Sequence, residues 1–336
     1  MRAPTIQVIV VNYRTPELTL KATAAALREM EGLDGRITVV DNGSGDDSVA
    51  LIAEAIARNG WDADGRVVLM PNAQNGGFGA GNNAAIRDGL GAGRAPDFHY
   101  LLNSDAWPEP GAIRALLRVM QENRDCGFAG SCIRGVDGAP HQTAFRFPSI
   151  AGEFEGAART GIVTRLLKGS VVPLPAPQTL SCVDWVAGAS VLIRRRTLNE
   201  IGLFDERFFL YFEETDLSYR GARAGWKTYY EPRSEVVHVG SVSTGMKTWA
   251  RTPGYWFGSR LHYFTKAHGR AYAAAATLAR IAGGLIWRLR CALSRRPVGE
   301  PPHFLRDLIA HGLRRAFRRA PHARTLRGTT MKDVNQ

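Results

Sequence analysis

The segment Phe204–Arg220, FDERFFLYFEETDLSYR, sets five acidic side chains among six aromatic ones. A carboxylate pressed against aromatic rings loses solvation, which disfavours its charged form and raises its basicity unless a cation meets it. Raised basicity suits a general base that takes a proton from a hydroxyl group. Glu213 and Glu214, at the centre of the run, are the candidates for that catalytic role. The plainer reading is a helix N-terminus decorated with acids, which its dipole favours. Asp216 fits that plainer reading, since it can pair with Arg220 four residues on. Asp205 and Glu206 are expected to bind an acceptor or to brace the loop.

Four other clusters carry polar chemistry. Asp41 in VVDNGSGDDS is placed to accept hydrogen bonds from a nucleotide base, or merely to cap a turn. The run NAQNGGFGAGNN, residues 72–83, resembles a dinucleotide loop only loosely: it follows the third strand-like run, not the first, and its spacing differs. It offers flexible backbone and amides at a helix N-terminus, suited to a diphosphate or sugar. Asn75, Gly76, Gly77 and Asn82 are its candidate contacts, with Asn12 at the end of the first strand. Asn103-Ser104-Asp105 ends the fourth strand-like run. Asp105 there can hold a divalent cation whose shell is completed by phosphate oxygens. His238 in VVHVGS is a candidate second metal ligand or phosphate donor, although a lone histidine is more often structural. Asp184 and Trp185 precede the small Gly188 and Ala189, so Trp185 is expected to floor a sugar or acceptor site, or to sit in the core.

The elements that must position these residues alternate along the first 135 residues. Strand-like runs fall at 6–13, 36–42, 66–70, 98–105 and 126–133, and helical runs at 16–30, 48–59, 79–90 and 110–123. Such alternation predicts an α/β chain with a mostly parallel, doubly wound sheet. Ligands of such sheets sit beyond the carboxyl ends of the strands, where Asp41, Asn72–Asn75 and Asn103–Asp105 fall. Residues 134–181 read as an irregular connection or lid, and 181–195 as apolar again.

Charge is unevenly placed. Residues 251–336 carry 17 Lys/Arg against 3 Asp/Glu, while residues 1–250 carry 26 against 28. A basic tail on a near-neutral body predicts a polyanionic partner. The helical runs 270–296 and 301–320 read as apolar on one face and arginine-rich on the other, the composition of a helix lying in an anionic membrane surface. Nucleic acid is the weaker partner, because tracking a phosphate backbone would leave the apolar face unused. The four cysteines have no metal-ligand spacing, which fits a reduced, cytoplasmic chain. No run is apolar for eighteen residues, and the first fifteen residues read as a buried strand rather than a signal peptide. The expected division is a catalytic unit at 1–250, with a nucleotide-binding half at 1–135 and an acceptor and catalytic half at 136–250, then a membrane-associating tail at 251–336.

Seven motifs in order carry a family resemblance: IVVNYRT, VVDNGSGDDS, NGGFGAGNN, LLNSD, WVAGASVLIRR, IGLFDERFFLYFEETDLSYR and VVHVGSVST. Over about residues 5–265 the chain resembles family-2 glycosyltransferases, and within them the rhamnosyltransferase-like branch. The resemblance implies a single nucleotide-sugar-binding fold of the glycosyltransferase A type. It implies an inverting transfer of a sugar, best guessed as L-rhamnose from dTDP-L-rhamnose, to a hydroxyl of a lipid-diphosphate-linked saccharide. That places the chain in cell-wall or lipopolysaccharide assembly, peripheral on the inner face of the membrane. Asp41 then contacts the nucleotide base, and Asp105 fills the last position of the family's metal-binding acidic motif, for Mg²⁺ or Mn²⁺. Asn103 stands where that motif often has a second Asp, and Glu214 where the base motif usually has Asp. Two other readings stand beside this one. One is a nucleotidyltransferase or dinucleotide-dependent oxidoreductase, which the misplaced glycine cluster disfavours. The other is a membrane- or nucleic-acid-binding module without transferase activity.

Overall fold

A computed structural model describes residues 3–240 and 249–317. The last residues of VVHVGSVST and of the basic tail lie outside these. The chain forms β1 (Thr5–Asn12), α1 (Pro16–Glu29), β2 (Asp34–Asp41), α2 (Ser48–Arg58), β3 (Val67–Pro71), α3 (Phe78–Asp88), β4 (Phe98–Asn103), β5 (Ala106–Pro108), α4 (Ala112–Glu122) and β6 (Cys126–Arg134). This is the expected alternation, with two adjustments. The fourth strand stops at Asn103 and resumes as β5. Helix α4 starts at Ala112 rather than at Pro110, because Gly111 adopts a left-handed conformation and its amide and that of Ile113 bond to the Glu29 carboxylate at the end of α1.

One sheet holds the molecule, in the order β3-β2-β1-β4-β10-β6-β11-β5, with β10 (Ser190–Arg194) and β11 (Lys227–His238) inserted. Strands β3, β2, β1 and β4 run parallel, β10 is antiparallel to both its neighbours, and β6 and β11 run parallel. A parallel strand covered on both faces needs an unbroken apolar run, and TIQVIVVN in β1 is buried almost throughout. Alternation then sorts its side chains. Ile6, Val8 and Val10 join the core under α1, α2 and α4, while Ile9 joins Ala85 of α3 on the other face. That second face also holds Leu198 of α7 (Arg195–Ile201) and Leu217 of α8 (Glu213–Arg223).

Residues 134–181 are not the irregular connection expected. They form β7 (Ala144–Phe145), α5 (Ile150–Ala158) and α6 (Gly161–Leu166) before β8 (Ser181–Val183) and β9 (Trp185–Val186). Nine residues are too few for a stable helix alone, and α5 is held by a partner more than a hundred residues later. That partner is α10 (Arg270–Leu293), which follows α9 (Gly254–His268) and precedes α11 (Phe304–Phe317). Gly283 lets the two backbones meet, since a Cβ there would stand 2.5 Å from the Phe154 carbonyl oxygen.

A buried ion cluster pins this junction. Glu153 of α5 accepts on one oxygen from Arg260 Nε (3.1 Å) and Nη2 (2.8 Å) of α9, and from Arg280 Nη1 (3.2 Å) of α10. Arg260 is only 1% exposed. Breaking such a cluster strands buried charge. Glu153→Gln should therefore lower unfolding stability by about 3–5 kcal/mol. Urea denaturation checks this, and a loss below about 1 kcal/mol, the scale of an exposed ion pair, would contradict the cluster's role.

Candidate active site

The site begins where the parallel strands end. Asn12 and Asp41 are register partners at the ends of β1 and β2. Asn12 Nδ2 donates to Asp41 Oδ1 (2.7 Å), Ser44 Oγ donates to the same oxygen (2.6 Å), and the Ser44 amide reaches Oδ2 (3.1 Å). This carboxylate organises the turn after β2 from within, and its neighbour Asn42, not Asp41 itself, reaches the wall of a cavity of about 1050 Å³. That volume lies at the upper end of small-molecule sites.

The glycine cluster is bound up with the loop of the opening segment. Asn42 Nδ2 donates to the Asn75 side-chain oxygen and to the Gly77 carbonyl, both at 3.0 Å. Gly77 has φ 87°, and a side chain there would collide with the Phe209 carbonyl. That carbonyl accepts from the Phe78 amide (3.2 Å), while the Gly77 amide donates to Asn75 Oδ1 (2.9 Å). These two amides at the start of α3, expected to be open to a diphosphate, are engaged within the protein. Asn75 and Gly77 line the cavity; Asn12, Gly76 and Asn82 do not.

Asp105 lies in the turn between β4 and β5, and His238 ends β11. The His238 Nε2 stands 3.0 Å from Asp105 Oδ1 and 3.3 Å from Asn103 Nδ2, and the Gly240 amide donates to Asp105 Oδ2 (3.1 Å). Burial raises the Asp105 pKa, but the His238 hydrogen bond and charge outweigh it and hold the carboxyl below its ordinary value. All three side chains line the cavity. Among the described residues no cluster of three or more His, Cys, Asp or Glu could hold a metal alone. Asp105 and His238 supply two donors, one hard oxygen and one imidazole nitrogen. They fit a divalent cation only if a ligand's oxygens and water complete its shell.

The acidic segment divides into braces and a free pair. Asp205 accepts from Arg207 (2.9 and 2.8 Å), His262 (3.0 Å) and Lys266 (2.9 Å); burial opposes its ionisation, but these bonds prevail and push its pKa far down. Glu206 is tied to Asn83 and Arg87, which lower its pKa. Neither reaches the cavity, so of their two expected uses the geometry matches bracing the loop. Asp216 pairs with Arg220 (2.9 Å) as its spacing predicts, and also with Lys266 (2.8 Å). Asp184 accepts from the Phe147 amide (2.7 Å) off the cavity wall, whereas Trp185 lines the wall, stacked on Phe145 at 4.2 Å.

Glu213 and Glu214 open α8 on the cavity wall. Tyr211 and Phe212 before them both hold positive φ, 69° and 70°, a strained pair of the kind that clusters at functional sites. Glu214 Oε1 accepts from the Gly188 amide (3.3 Å), and a Cβ at Gly188 would stand 2.5 Å from that oxygen, so a side chain there would displace the carboxylate. Glu213 is 2% exposed and its Oε2 has no hydrogen-bond partner among the described residues. Burial raises both pKa values, that of Glu213 well above its ordinary value with help from the Glu214 charge.

Sequence reasoning missed Glu153 of α5, Tyr255 and Trp256 of α9 and Arg280 of α10, which all line the same cavity. The available signals were faint: a lone acid between apolar residues, and an arginine on the small-residue side of a helix.

Residues 3–260 match the family described as "Glycosyltransferase like family 2". An N-acetylglucosaminyl-diphospho-decaprenol L-rhamnosyltransferase of Mycobacterium tuberculosis is 30% identical over 252 residues, covering 71% of this chain and 78% of its own. Rhamnosyltransferase WbbL of Escherichia coli is 26% identical over 165 residues, covering 48% of this chain and 60% of its own. Among solved structures, the mannosyltransferase PcManGT of Pyrobaculum calidifontis, in complex with GDP-Man and Mn²⁺, aligns with a TM-score of 0.55 at 15% identity. That alignment covers 95% of this chain and 89% of the other, a likeness of fold.

The buried pair makes a stability prediction. Glu213 retains its proton to higher pH in the folded than in the unfolded state, whose value is near 4.5. Between those two values the folded state holds more protons, so stability falls as pH rises. Glu213→Gln should raise the thermal midpoint at pH 7.5 and converge on wild type near pH 4. Equal shifts at both pH values would refute this.

Proposed function

The chain belongs to glycosyltransferase family 2, and we propose that it moves L-rhamnose from dTDP-L-rhamnose to a hydroxyl of a lipid-diphosphate-linked saccharide, with inversion at the anomeric carbon. The observation that carries the mechanism is the Glu214 carboxylate, desolvated yet on the cavity wall, where it accepts from the Gly188 backbone amide. The donor and acceptor classes are supported by the names of the relatives.

In this mechanism Glu214 takes the proton of the acceptor hydroxyl as its oxygen attacks the anomeric carbon. The bond to the nucleoside diphosphate breaks in the same step, and the electron pair leaves with the phosphate. One base suffices, because no covalent sugar–enzyme intermediate forms. Burial and mutual repulsion favour one proton shared over Glu213 and Glu214. Glu213, almost wholly buried, is the member that keeps it, which leaves Glu214 as the base. A divalent cation, Mg²⁺ or Mn²⁺ on Asp105 and His238, would neutralise charge on the departing diphosphate. Asn75, Gly77 and Asn103 are assigned to the nucleotide sugar and Trp185 to the acceptor side. Asn12 and Asp41 act on the nucleotide through the turn they hold.

We also assign α10 to the membrane surface, as a peripheral attachment on the cytoplasmic face. No described helix is long and apolar enough to cross a membrane. On the arginine-rich face of α10, Arg280 and Arg288 turn inward to Glu153 and Glu300. Leu278, Leu285, Leu289 and Leu293 face outward instead, 57–78% exposed. The surplus of Lys/Arg after residue 250 suits an anionic bilayer around that apolar stripe.

Two measurements test these readings. Release of dTDP from dTDP-L-rhamnose on adding a prenyl-diphospho-N-acetylglucosamine acceptor should fall by roughly 10²–10⁴-fold in Glu214→Gln, the scale of a lost general base, and fall also on chelation with EDTA. Silence across dTDP-, UDP- and GDP-sugars would end the transferase assignment. In sedimentation with phosphatidylglycerol-containing vesicles, wild type should bind at low salt and release as salt rises. The pair Leu285→Glu and Leu289→Glu should bind far less, and undiminished binding would remove α10 from the surface.

A further inference from the structure

The cavity wall carries a positive charge that the reaction scheme above does not use. Glu153 alone faces two guanidinium groups, those of Arg260 and Arg280. Arg260 is fully enclosed, and its remaining donors reach Thr277 Oγ1 and the Ala276 carbonyl, both at 3.1 Å. Arg280 is different. Its Nε is buried without a hydrogen-bond partner, its side chain keeps 21% exposure, and Glu153 is its one carboxylate partner among the described residues. Arg280 also lines the cavity that holds Glu214. One carboxylate cannot neutralise two guanidinium groups, so this part of the wall bears a net positive charge beside Gly152, Gly156, Val172 and Pro173.

A partly desolvated guanidinium with spare donors is costly until an anion meets it. Its surroundings narrow the anion. Arg280 lies 5.4 Å from the centre of the Trp256 ring and 5.2 Å from that of Phe304. The same Arg280 and Trp256 border a second cavity of about 230 Å³, walled also by Trp249, Pro301 and Phe304 and by the ion pair of Arg159 and Glu300. A cation between the reaction cavity and a smaller one walled in part by aromatic rings matches a ligand whose charged group is joined to a hydrocarbon chain.

We propose that Arg280 binds the diphosphate of the acceptor, with the first hydrocarbon unit of its lipid against Trp256 and Phe304. This rests on the reading that the acceptor is a lipid-diphosphate-linked saccharide, whose fixed negative charge is that diphosphate. The guanidinium fork offers two parallel donors to phosphate oxygens, which a lysine ammonium cannot reproduce. Arg280 thereby selects the acceptor and positions it, and takes no part in proton transfer.

The test compares two acceptors with the full-length protein and dTDP-L-rhamnose. One is farnesyl-diphospho-N-acetylglucosamine, and the other octyl β-N-acetylglucosaminide, which has an apolar chain and no diphosphate. In Arg280→Gln the KM for the first should rise by roughly 10–100-fold, the scale of a charge-assisted hydrogen bond lost from a partly buried site. Its kcat, the donor KM and the KM for the octyl glycoside should stay within about twofold of wild type, since a guanidinium held on the diphosphate touches neither. Arg280→Lys, which keeps the charge on Glu153, should fall between the two and carries the comparison if the glutamine variant fails to fold. Equal changes for both acceptors, no change for either, or a change confined to the donor KM would each overturn the assignment. If wild type uses neither acceptor, the functional reading itself fails; if wild type transfers and its preference for the diphosphate acceptor survives in both variants, only the Arg280 assignment does.

Discussion

Two adjacent carboxylates held away from water at the start of α8 are the constraint around which the rest of the molecule is arranged. Desolvating a carboxylate without a cation costs several kcal/mol, and a second beside it costs more. The chain offsets that cost through the preceding loop rather than at the pair itself. Phe208 is fully buried with Tyr263 and Phe264 of α9. The Phe209 carbonyl takes the first amide of α3, the Leu210 carbonyl accepts from Ser259 (2.9 Å), and Asp205 is clamped by Arg207, His262 and Lys266. Held at so many points, the loop tolerates positive φ at Tyr211 and Phe212 and delivers Glu213 and Glu214 to the wall. The same acids placed on an exposed helix would be ordinary dipole-compensating residues, with no gain in basicity.

The first half of the sheet was legible from sequence because its physics is local. A parallel strand buried on both faces writes itself as an apolar run, and β1, β2, β4 and β6 all begin and end within two residues of such runs. What failed to show depended on remote partners. Helix α5 has neither length nor periodicity, and it exists because Gly283 of α10 lets its backbone approach and because Arg260 and Arg280 neutralise Glu153. Which face of α10 meets the body depends on remote partners in the same way, since the inward side is built from Ala273, Ala276, Gly283 and Gly284 and the leucines are left outside.

The site was partly legible on the same terms. Residue type located the acidic pair, Asp105, His238 and Trp185, since a carboxylate among aromatic residues or at a strand's carboxyl end is conspicuous without any structure. Residue type could not separate carboxylates that serve a ligand from those that serve the fold. Asp205 and Glu206 are as acidic as Glu213 and Glu214, and only the fold shows that His262, Lys266 and Arg87 arrive from distant helices to bond them. At the end of β2 the Asp41 oxygens accept from Asn12 and Ser44, and it is Asn42 that reaches the cavity wall, which residue type alone does not show.

Helix α10 joins the two chemistries that a transfer onto a lipid carrier requires. Its inner face presents Arg280 to the reaction cavity, and its outer face presents leucines where a bilayer would lie. A lipid-linked saccharide must keep its hydrocarbon in the membrane while its sugar reaches a water-excluded base. A single helix with a cation inside and an apolar stripe outside fixes the separation between those two requirements. The Glu153 cluster sets that separation in turn, because it ties α10 to α5 and α9 and through them to the loop that carries Glu214. If α10 lies on a membrane as proposed, buried charge holds its apolar stripe and the Glu214 loop in one frame.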